Sequence, residues 1–274
     1  MSLVTIDAEK CQRDGICVAE CPARLLELKP GGGVPETIPE ADELCIGCGH
    51  CVAVCPFGAL SHKNLSPQEC APVRKELVVG AEQAEQFLRS RRSIRVYKKT
   101  PVEKNTLLKL INIARFAPSG HNSQPVRWLV IQESKEVLRL AGMVIDWMRY
   151  VQKEHPAMAQ TLNMERAISA WESGKDPICR NAPHLVVAYG DKSNMTAQSA
   201  CVIALTYLEL AASAFGLGAC WAGYFNAAAT FWPPLQDALA LPENHASYGA
   251  MMIGYPKFAY HRLPERNEAN ITWR

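Results

Sequence analysis

One cysteine run constrains the fold of this chain more than any other feature. Cys45, Cys48, Cys51 and Cys55 stand at the spacing C-x2-C-x2-C-x3-C, and Pro56 follows directly. Three thiolates on one tight loop can hold an iron–sulfur cubane, and a fourth that is displaced onto the next helix points to a second cluster. A zinc ribbon would instead need paired C-x2-C units around one tetrahedral ion. The run therefore predicts iron–sulfur clusters rather than zinc.

An earlier run repeats this pattern with one change. Cys11, Cys17 and Cys21 occupy three of the four positions, and Asp14 stands at the position of the second cysteine. A carboxylate is a harder ligand than a thiolate, so this cluster could be 4Fe-4S with an aspartate ligand or 3Fe-4S with an empty corner. The alternative is that Asp14 and Gly15 only form a turn.

The composition of the 274 residues argues against several classes of protein. Lys and Arg number 29, Asp and Glu number 27, and 48% of the residues are hydrophobic. Neither disorder nor a nucleic-acid or anionic-membrane partner is therefore expected. Residues 1–80 hold 7 basic and 11 acidic side chains, whereas residues 81–274 hold 22 and 16. This uneven charge indicates two modules.

Two features bear on the cellular location of the chain. The N-terminal sequence has no basic region followed by an apolar run, so we expect no secretory signal and a cytoplasmic location. Thiols stay reduced there, and metal binding is the usual reason for clustered cysteines.

The long apolar segment 199–220 contains Glu209, lacks basic flanks and ends at Gly216 and Gly218. These signals favour a buried core or interface helix over a membrane span.

The pattern of the chain changes after residue 65. Residues 66–85 contain prolines with polar neighbours and are predicted to form a linker before a second module, 86–274. Helices are predicted at 81–91, 134–154 and 195–215, and buried strands at 126–132, 184–190, 219–223 and 248–254. Another helix is predicted to begin at Pro101, because Thr100 and Glu103 stand at capping-box spacing. The predicted class is α+β, with a sheet covered on both faces.

Three segments of the second module carry residues that could bind a planar, phosphorylated ligand. RRSIR (91–95) places three guanidinium groups and a hydroxyl together, although such a basic run is more often a solvated surface. APSGHNSQP (117–125) is a loop of small and amide residues, capable of close approach to a flat ligand. The third segment has two parts that place glycines near strand ends, LGACWAGYFN (217–226) and IGYPKFAYHRLPER (253–266). The second part also contains Arg262 and Arg266.

Residues 1–65 resemble the bacterial ferredoxins with two iron–sulfur clusters, and the two half-motifs are the internal repeat of that family. The resemblance implies a ferredoxin-like domain in which the last cysteine of each run crosses to the other cluster. One cluster would then take Cys45, Cys48, Cys51 and Cys21. The other would take Cys11, Cys17 and Cys55, with Asp14 as the candidate fourth ligand.

Residues 86–274 resemble the FMN-dependent nitroreductase family. RRSIR matches the amino-terminal flavin motif of that family, APSGHNSQP matches its PSS-x-N-x-QP loop, and IGYP with the downstream arginines matches its carboxy-terminal segment. The resemblance implies a layered α+β domain that binds FMN and forms a homodimer with its sites across the interface.

The resemblance also implies the contacts to the flavin. The phosphate and the pyrimidine side would be bound by Arg91, Arg92, Ser93 and Arg95, with Arg262 and Arg266 completing the phosphate site. The loop that approaches the flavin from the other subunit would contribute Pro118, Ser119, Gly120, Asn122 and Gln124. The backbone against the isoalloxazine would be that of Ala222, Gly223 and Tyr224, and the Gly223 amide would donate to flavin N5. The family often has serine at the position of Gly120.

The two modules together favour one function over another. Iron–sulfur clusters pass single electrons, whereas reduction of an organic substrate by hydride takes two, and a flavin can accept singly and donate as a pair. We expect a reductase that takes electrons from a ferredoxin-type donor and reduces a nitro, quinone or other electron-poor acceptor. The alternative is an electron carrier or redox sensor without a small-molecule substrate.

Overall fold

The computed structural model describes residues 2–274, which divide into two compact units. The first unit comprises the chain up to Val79 together with His121–Ser123, and the second comprises Gly80–Gly120 and Gln124–Arg274.

Short elements build the first unit around an internal repeat. Strand β1 (Val4–Ile6) pairs antiparallel with β4 (Leu60–His62), and β2 (Leu26–Glu27) pairs with β3 (Glu36–Thr37). The helices of this unit are α1 (Ile16–Glu20), α2 (Ala41–Leu44) and α3 (His50–Val54). Gly15 and Gly49 precede α1 and α3 with φ of 72° and 73°. The same left-handed conformation thus starts the helix in each half.

The segment predicted as a linker carries some regular structure. Residues Pro67–Glu69 and Lys75–Leu77 form single 3-10 turns, and helix α4 spans Ala81–Ser90. The Glu69 carboxylate accepts hydrogen bonds from both the backbone N–H and the hydroxyl of Ser66, each at 2.7 Å. This reciprocal cap fixes the first turn at its N-terminus.

A four-stranded antiparallel sheet forms the centre of the second unit. Its strands are β5 (Arg127–Ile131), β6 (His184–Asp191), β7 (Gly218–Trp221) and β8 (His245–Gly254), in the order β5-β6-β8-β7. Along β6, Leu185 and Val187 pack into one hydrophobic core, whereas Val186 and Ala188 pack into another. Because successive strand residues point to opposite faces, the sheet has a core on each side. The predicted α+β class is confirmed.

Helices cover both faces of this sheet. The helices are α5 (Lys104–Ala114), α6 (Ser134–Glu154), α7 (Pro156–Thr161), α8 (Met164–Glu172), α9 (Ala197–Ala214), α10 (Gly223–Phe231) and α11 (Pro233–Leu239). The core on one face takes side chains from α5 and α9, and the core on the other takes side chains from α6, α8, α10 and α11.

Helix α9 fills the apolar segment that the sequence singled out. Within residues 2–274 it is the one helix long and apolar enough to cross a membrane, a property that core helices of soluble proteins share. Leu205 and Leu208 lie in the sheet core, whereas Val202, Ile203 and Tyr207 on the outer side are 36–40% exposed. The helix is therefore buried along one face and exposes three large apolar side chains among polar ones on the other.

The helix predicted to begin at Pro101 begins three residues later, and the capping-box prediction was wrong. Val102 is 1% exposed, and its backbone N–H donates to His184 Nε2 on β6 at 2.7 Å. This tie holds residues before Glu103 outside the helix, so α5 starts at Lys104 with Glu103 as N-cap. A tertiary contact has overridden a local signal.

Candidate cofactor sites

The seven cysteines of the two runs form two groups. The neighbouring thiols that raise the pKa of Cys17 are those of Cys11 and Cys55, after burial as the main cause. Burial also raises the pKa of Cys51 to about 11, and Cys48, Cys21 and Cys45 add to the effect. These two groups are the cysteine sets that the ferredoxin resemblance implies for its two clusters.

Backbone amides point at several of these sulfurs. The amides of Leu25 and Ala59 each donate to the sulfur four residues earlier, Cys21 Sγ and Cys55 Sγ, at 3.3 Å. Such donors stabilise thiolates, which are the ligand form of cysteine. Among residues 2–274, no three His, Cys, Asp or Glu side chains lie close enough to share a single metal ion. Thiolates are the soft ligands that iron–sulfur clusters take, so the two cysteine groups are a chemically suitable donor set.

The position of Asp14 is compatible with both roles that the sequence left open. Its Oδ1 accepts a hydrogen bond from the Ile16 backbone N–H at 3.2 Å, which closes a turn before α1. Its side chain also lines a small cavity with Cys11, Cys17 and Cys55. One carboxylate oxygen can form the turn while the other serves as ligand, so the two roles are compatible.

The RRSIR segment is anchored to β7 at the edge of the sheet. The Ile94 backbone N–H donates to the Ala219 carbonyl at 3.0 Å, and the Tyr97 hydroxyl donates to the Ile94 carbonyl at 2.6 Å. Gly218 faces Ile94 so closely that a Cβ there would lie 2.3 Å from the Ile94 side chain. The polar residues on either side of Ile94 are therefore fixed beside the start of β7.

The arginines of this segment have different environments. Arg91 Nη1 donates to Glu209 Oε1 on α9 at 2.8 Å, and these side chains are 29% and 7% exposed. Arg92 donates to the carbonyls of Arg89 and Arg91. Arg95 is exposed and reaches only the Ser93 carbonyl, at 3.5 Å. Arg95 is thus the guanidinium most available to a ligand, whereas Arg91 is committed to an ion pair.

Ser93 lies beside a cysteine that the sequence did not assign to the site. Burial raises the pKa of the Cys220 thiol on β7, while the nearby Arg95 charge and a hydrogen bond with the Ser93 side chain lower it. The other two cysteines of this unit, Cys179 and Cys201, are fully buried. All three pack into the hydrophobic cores as small residues.

Gly223 opens helix α10 directly after β7. The preceding residue, Ala222, donates its backbone N–H to the Ala250 carbonyl at 2.9 Å, which fixes the start of the helix. Gly223 is exposed, and a Cβ placed on it would meet no atom within 4 Å. First-turn amides have no acceptor within the helix, so this glycine presents a donor to open space. The next residue, Tyr224, donates its hydroxyl to the Leu162 carbonyl at 2.7 Å.

The 117–125 loop has an unusual backbone. His121, Asn122 and Gln124 have φ between 43° and 52°, and Ser119 Oγ accepts a hydrogen bond from the Gln124 backbone N–H at 2.9 Å. Pro118 at its start is exposed. Within the first unit, Asn122 Nδ2 donates to the Ile46 and Gly47 carbonyls at 3.2 and 3.1 Å. The loop tip therefore contacts backbone that lies between two cysteines of the second run.

Thr196 explains why residue 120 is a glycine. A Cβ on Gly120 would lie 2.6 Å from Thr196 Cγ2. A serine, frequent at this position in the nitroreductase family, would therefore clash unless Thr196 moved. Thr196 thus occupies the space that a side chain at residue 120 would need.

The two C-terminal arginines expected at the phosphate, Arg262 and Arg266, are exposed and lie after the last strand. Glu265, between them, accepts a hydrogen bond from Arg89 Nη2 at 3.1 Å. This contact holds the tail at helix α4, which ends just before RRSIR.

Sequence reasoning missed Glu209 as the partner of Arg91 and Tyr97 as the anchor of the RRSIR segment. Glu209 carried a signal, because it is the single charged residue of α9. A carboxylate within an apolar helix predicts a cationic partner. Nothing local identified Arg91 as that partner.

Comparison with known proteins identifies both parts of the chain. Residues 88–255 match the Nitroreductase family, and residues 3–56 match the 4Fe-4S dicluster domain. The iodotyrosine deiodinase of Thermotoga neapolitana is 26% identical over 68% of this chain and 94% of its own length. The 5,6-dimethylbenzimidazole synthase of Rhodospirillum rubrum is 27% identical over 64% of this chain and 82% of its own length.

The fold is shared with solved structures. A Bacteroides fragilis nitroreductase, solved with bound FMN, aligns with a TM-score of 0.57 and 19% identity, covering 69% of this chain and 98% of that one. At this identity the likeness shows the fold alone. The family match over residues 88–255 spans more than half of the chain. The protein is therefore an oxidoreductase of the nitroreductase family that carries an N-terminal 4Fe-4S dicluster domain.

Proposed function

We propose that this protein is an FMN-dependent reductase fed by its own iron–sulfur module. Residues 1–65 would hold two clusters and receive electrons from a low-potential, ferredoxin-type donor. Residues 86–274 would hold FMN and reduce a nitroaromatic, quinone or other electron-poor acceptor. The observation that carries the proposal is the presence, in one chain, of two cysteine groups, an RRSIR segment anchored to β7 and an exposed Gly223 just after that strand.

The second unit offers chemically suitable partners for each part of FMN. Ser93 and Arg95 supply a hydroxyl and a guanidinium for the phosphate and the polar chain, and the tail adds Arg262 and Arg266. The open space at Gly223 admits a flat ring against backbone, and the start of α10 favours negative charge there. When bound, FMN would accept single electrons from clusters and deliver a pair to the acceptor.

Residues near the start of α10 would orient the flavin and keep water away from the acceptor. The Gly223 amide would donate to the flavin edge, and the hydrogen bond from Tyr224 to Leu162 holds the segment between α7 and α8 near the start of α10. This segment would exclude water from the acceptor site.

The acceptor does not follow from the family. The two curated relatives carry the names of a deiodinase and of a synthase, so the fold supports different substrates. A donor with a basic patch is favoured by the acidic balance of residues 1–80.

We also propose that the protein is a homodimer. The outer face of α9 exposes Val202, Ile203 and Tyr207 in a helix of otherwise apolar character. A second copy of this face would cover it and would bring the 117–125 loop to the partner's flavin.

Rapid-mixing kinetics under anaerobic conditions test the electron route. Reduced ferredoxin should bleach the cluster absorbance before the FMN absorbance in the full chain. A Cys51→Ser variant, and a chain lacking residues 1–65, should bind FMN but lose this reduction. NADH and NADPH serve as competing donors in the same experiment. If the truncated chain is reduced by ferredoxin as fast as the full chain, the proposed route is wrong.

A further inference from the structure

A cavity of about 480 Å³ in the second unit lies between α10, α11 and the start of β8. Three buried side-chain atoms in residues 2–274 lack a hydrogen-bond partner, and all three belong to residues that line this cavity: Asn226 Oδ1, His245 Nε2 and Ser247 Oγ. Ser247 is only 5% exposed. Buried polar atoms without partners are costly and rare in folded proteins. Their convergence on one cavity indicates a binding site.

The hydrogen-bonding character of these atoms defines the ligand. His245 Nδ1 lies 2.9 Å from the Glu243 carbonyl oxygen, which can only accept, so Nδ1 carries the proton. In the neutral ring, Nε2 is then an acceptor. Asn226 Oδ1 is an acceptor too, whereas the Ser247 hydroxyl can do both. A ligand that satisfies the site must bring at least two O–H or N–H donors.

The charges around the cavity narrow the ligand further. Asp237 and Glu243 line it together with a single cationic residue, Lys192. A negatively charged ligand is therefore disfavoured. The volume falls within the range of small-molecule pockets and is far larger than that of one water.

We propose that this cavity binds a small polyol or amino alcohol, at a site separate from the Gly223 segment. Asn226, His245 and Ser247 would make its hydrogen bonds.

Calorimetric titration of the full-length protein tests the proposal with three probes. Xylitol and Tris should bind, and malate, an anion of similar size, should bind at least tenfold more weakly. Ser247→Ala and Asn226→Ala should each weaken xylitol binding about fivefold to tenfold. Ser213→Ala is the matched control, because its hydroxyl bonds only its own helix backbone. Failure of both xylitol and Tris to bind, equal binding of malate, or binding unchanged in both cavity variants would overturn the proposal.

A separate observation concerns His62, at the end of β4. His62 Nε2 lies 3.6 Å from Cys45 Sγ, and the Asn64 backbone N–H donates to His62 Nδ1 at 3.2 Å. Because Nδ1 accepts, Nε2 carries the ring proton and can donate to the sulfur.

The internal repeat shows that this donor is present in only one half. His62 follows Cys55 by the same interval at which Leu28 follows Cys21. Leu28 Cδ1 packs against Gly15, 3.3 Å from where a Cβ would stand. At the equivalent position of the first half, an apolar side chain thus stands in place of the histidine.

We infer that His62 raises the reduction potential of one of the two clusters. That cluster is the one held by Cys21, Cys45, Cys48 and Cys51. This inference rests on the proposed two-cluster function. A donor to a ligand sulfur stabilises the reduced cluster, which carries more negative charge.

An EPR-monitored redox titration of the full-length protein tests the role of His62. His62→Phe should lower the equilibrium constant for reduction of one cluster about tenfold, equivalent to about 59 mV, and His62→Gln should restore part of it. Leu28→Phe, the matched change in the other half, should leave that potential unchanged. Clusters with the same potential in wild type and His62→Phe would contradict the inference alone. A wild-type protein that assembles no cluster would contradict the proposed function instead.

Discussion

Arg91 Nη1 and Glu209 Oε1 are joined at 2.8 Å, and Glu209 is the sole charged residue of helix α9. The pair connects the start of the RRSIR segment to the core helix of the second unit. An arginine expected at the flavin phosphate therefore has a structural task as well.

Arg91→Ala should lower the free energy of unfolding by about 2–4 kcal/mol, because it leaves the Glu209 carboxylate buried without its partner. Adding Glu209→Leu should recover most of this loss. Urea unfolding of the flavin-free protein, followed by tryptophan fluorescence, measures the change, since all six tryptophans lie in the second unit. Arg89→Ala removes only exposed ion pairs and should change stability by less than about 1 kcal/mol. Equal losses for the Arg89 and Arg91 variants would refute a special role for the buried pair.

The contact between Val102 and His184 predicts a pH dependence of stability. Burial lowers the pKa of His184, whose Nε2 accepts from Val102 and whose Nδ1 lies 2.7 Å from the Gln132 carbonyl oxygen. The unfolded chain therefore binds this proton more readily than the folded chain. The free energy of unfolding should fall as the pH drops below about 6.5, the usual pKa of histidine.

Fluorescence-monitored urea unfolding between pH 7.5 and 5 measures this dependence. His184→Gln should be less stable at neutral pH and should show a shallower decline. His261→Gln changes an exposed residue of the tail and should leave the profile as it is. A wild-type decline that His184→Gln leaves intact would assign the pH dependence to other groups.

Gly223→Pro should separate the donor role of this residue from its structural role. Proline is well tolerated at the first position of a helix, where a ring carbon replaces the hydrogen of the backbone N–H. We expect an unchanged melting temperature, with turnover of an electron-poor acceptor reduced about tenfold to a hundredfold. Gly223→Ala keeps the N–H and should be clearly more active than the proline variant. Equal activity of the two variants would exclude the amide as a donor to the flavin.

Asp14→Cys tests whether the carboxylate ligates iron. Anaerobically isolated wild-type protein should contain about seven or eight irons per chain. The substitution should convert any 3Fe-4S signal in the EPR spectrum to a 4Fe-4S signal, since a thiolate holds the fourth iron more firmly. Asp14→Ala is the companion variant. It removes the carboxylate, so its cluster should lack the fourth iron. Zinc in place of iron would end the cluster interpretation.

Ile203→Glu tests the homodimer. A charge on the outer face of α9 should prevent a second copy from covering it, so the variant should be monomeric by light scattering and should lose FMN. Lys135→Glu, an exposed change on another helix, is the control. A flavin-loaded monomer in the wild-type protein would rule out the shared site.

Much of this fold follows from local sequence. The four apolar runs became the four strands, because a strand buried on both faces needs an unbroken apolar stretch, and Gly15 and Gly49 mark the two helix starts in the cysteine runs. The start of α5 was missed, because it depends on His184, far along the chain. The candidate site is likewise only partly predictable. Its motifs can be recognised in the sequence, but the partner of Arg91 depends on how α9 packs, which no local pattern encodes.

The two cysteine groups have a consequence for how the protein is made. Cys55 lies beside Cys17, and Cys21 lies beside Cys51, so each group draws one member from the other run. As the chain leaves the ribosome, the first run therefore emerges without a full set of thiols around either position. If each group binds a cluster as proposed, neither cluster can be completed until the second run has been translated. On the same assignment, each cluster would join the two runs, so loss of one cysteine ligand would weaken a link between both halves of the unit.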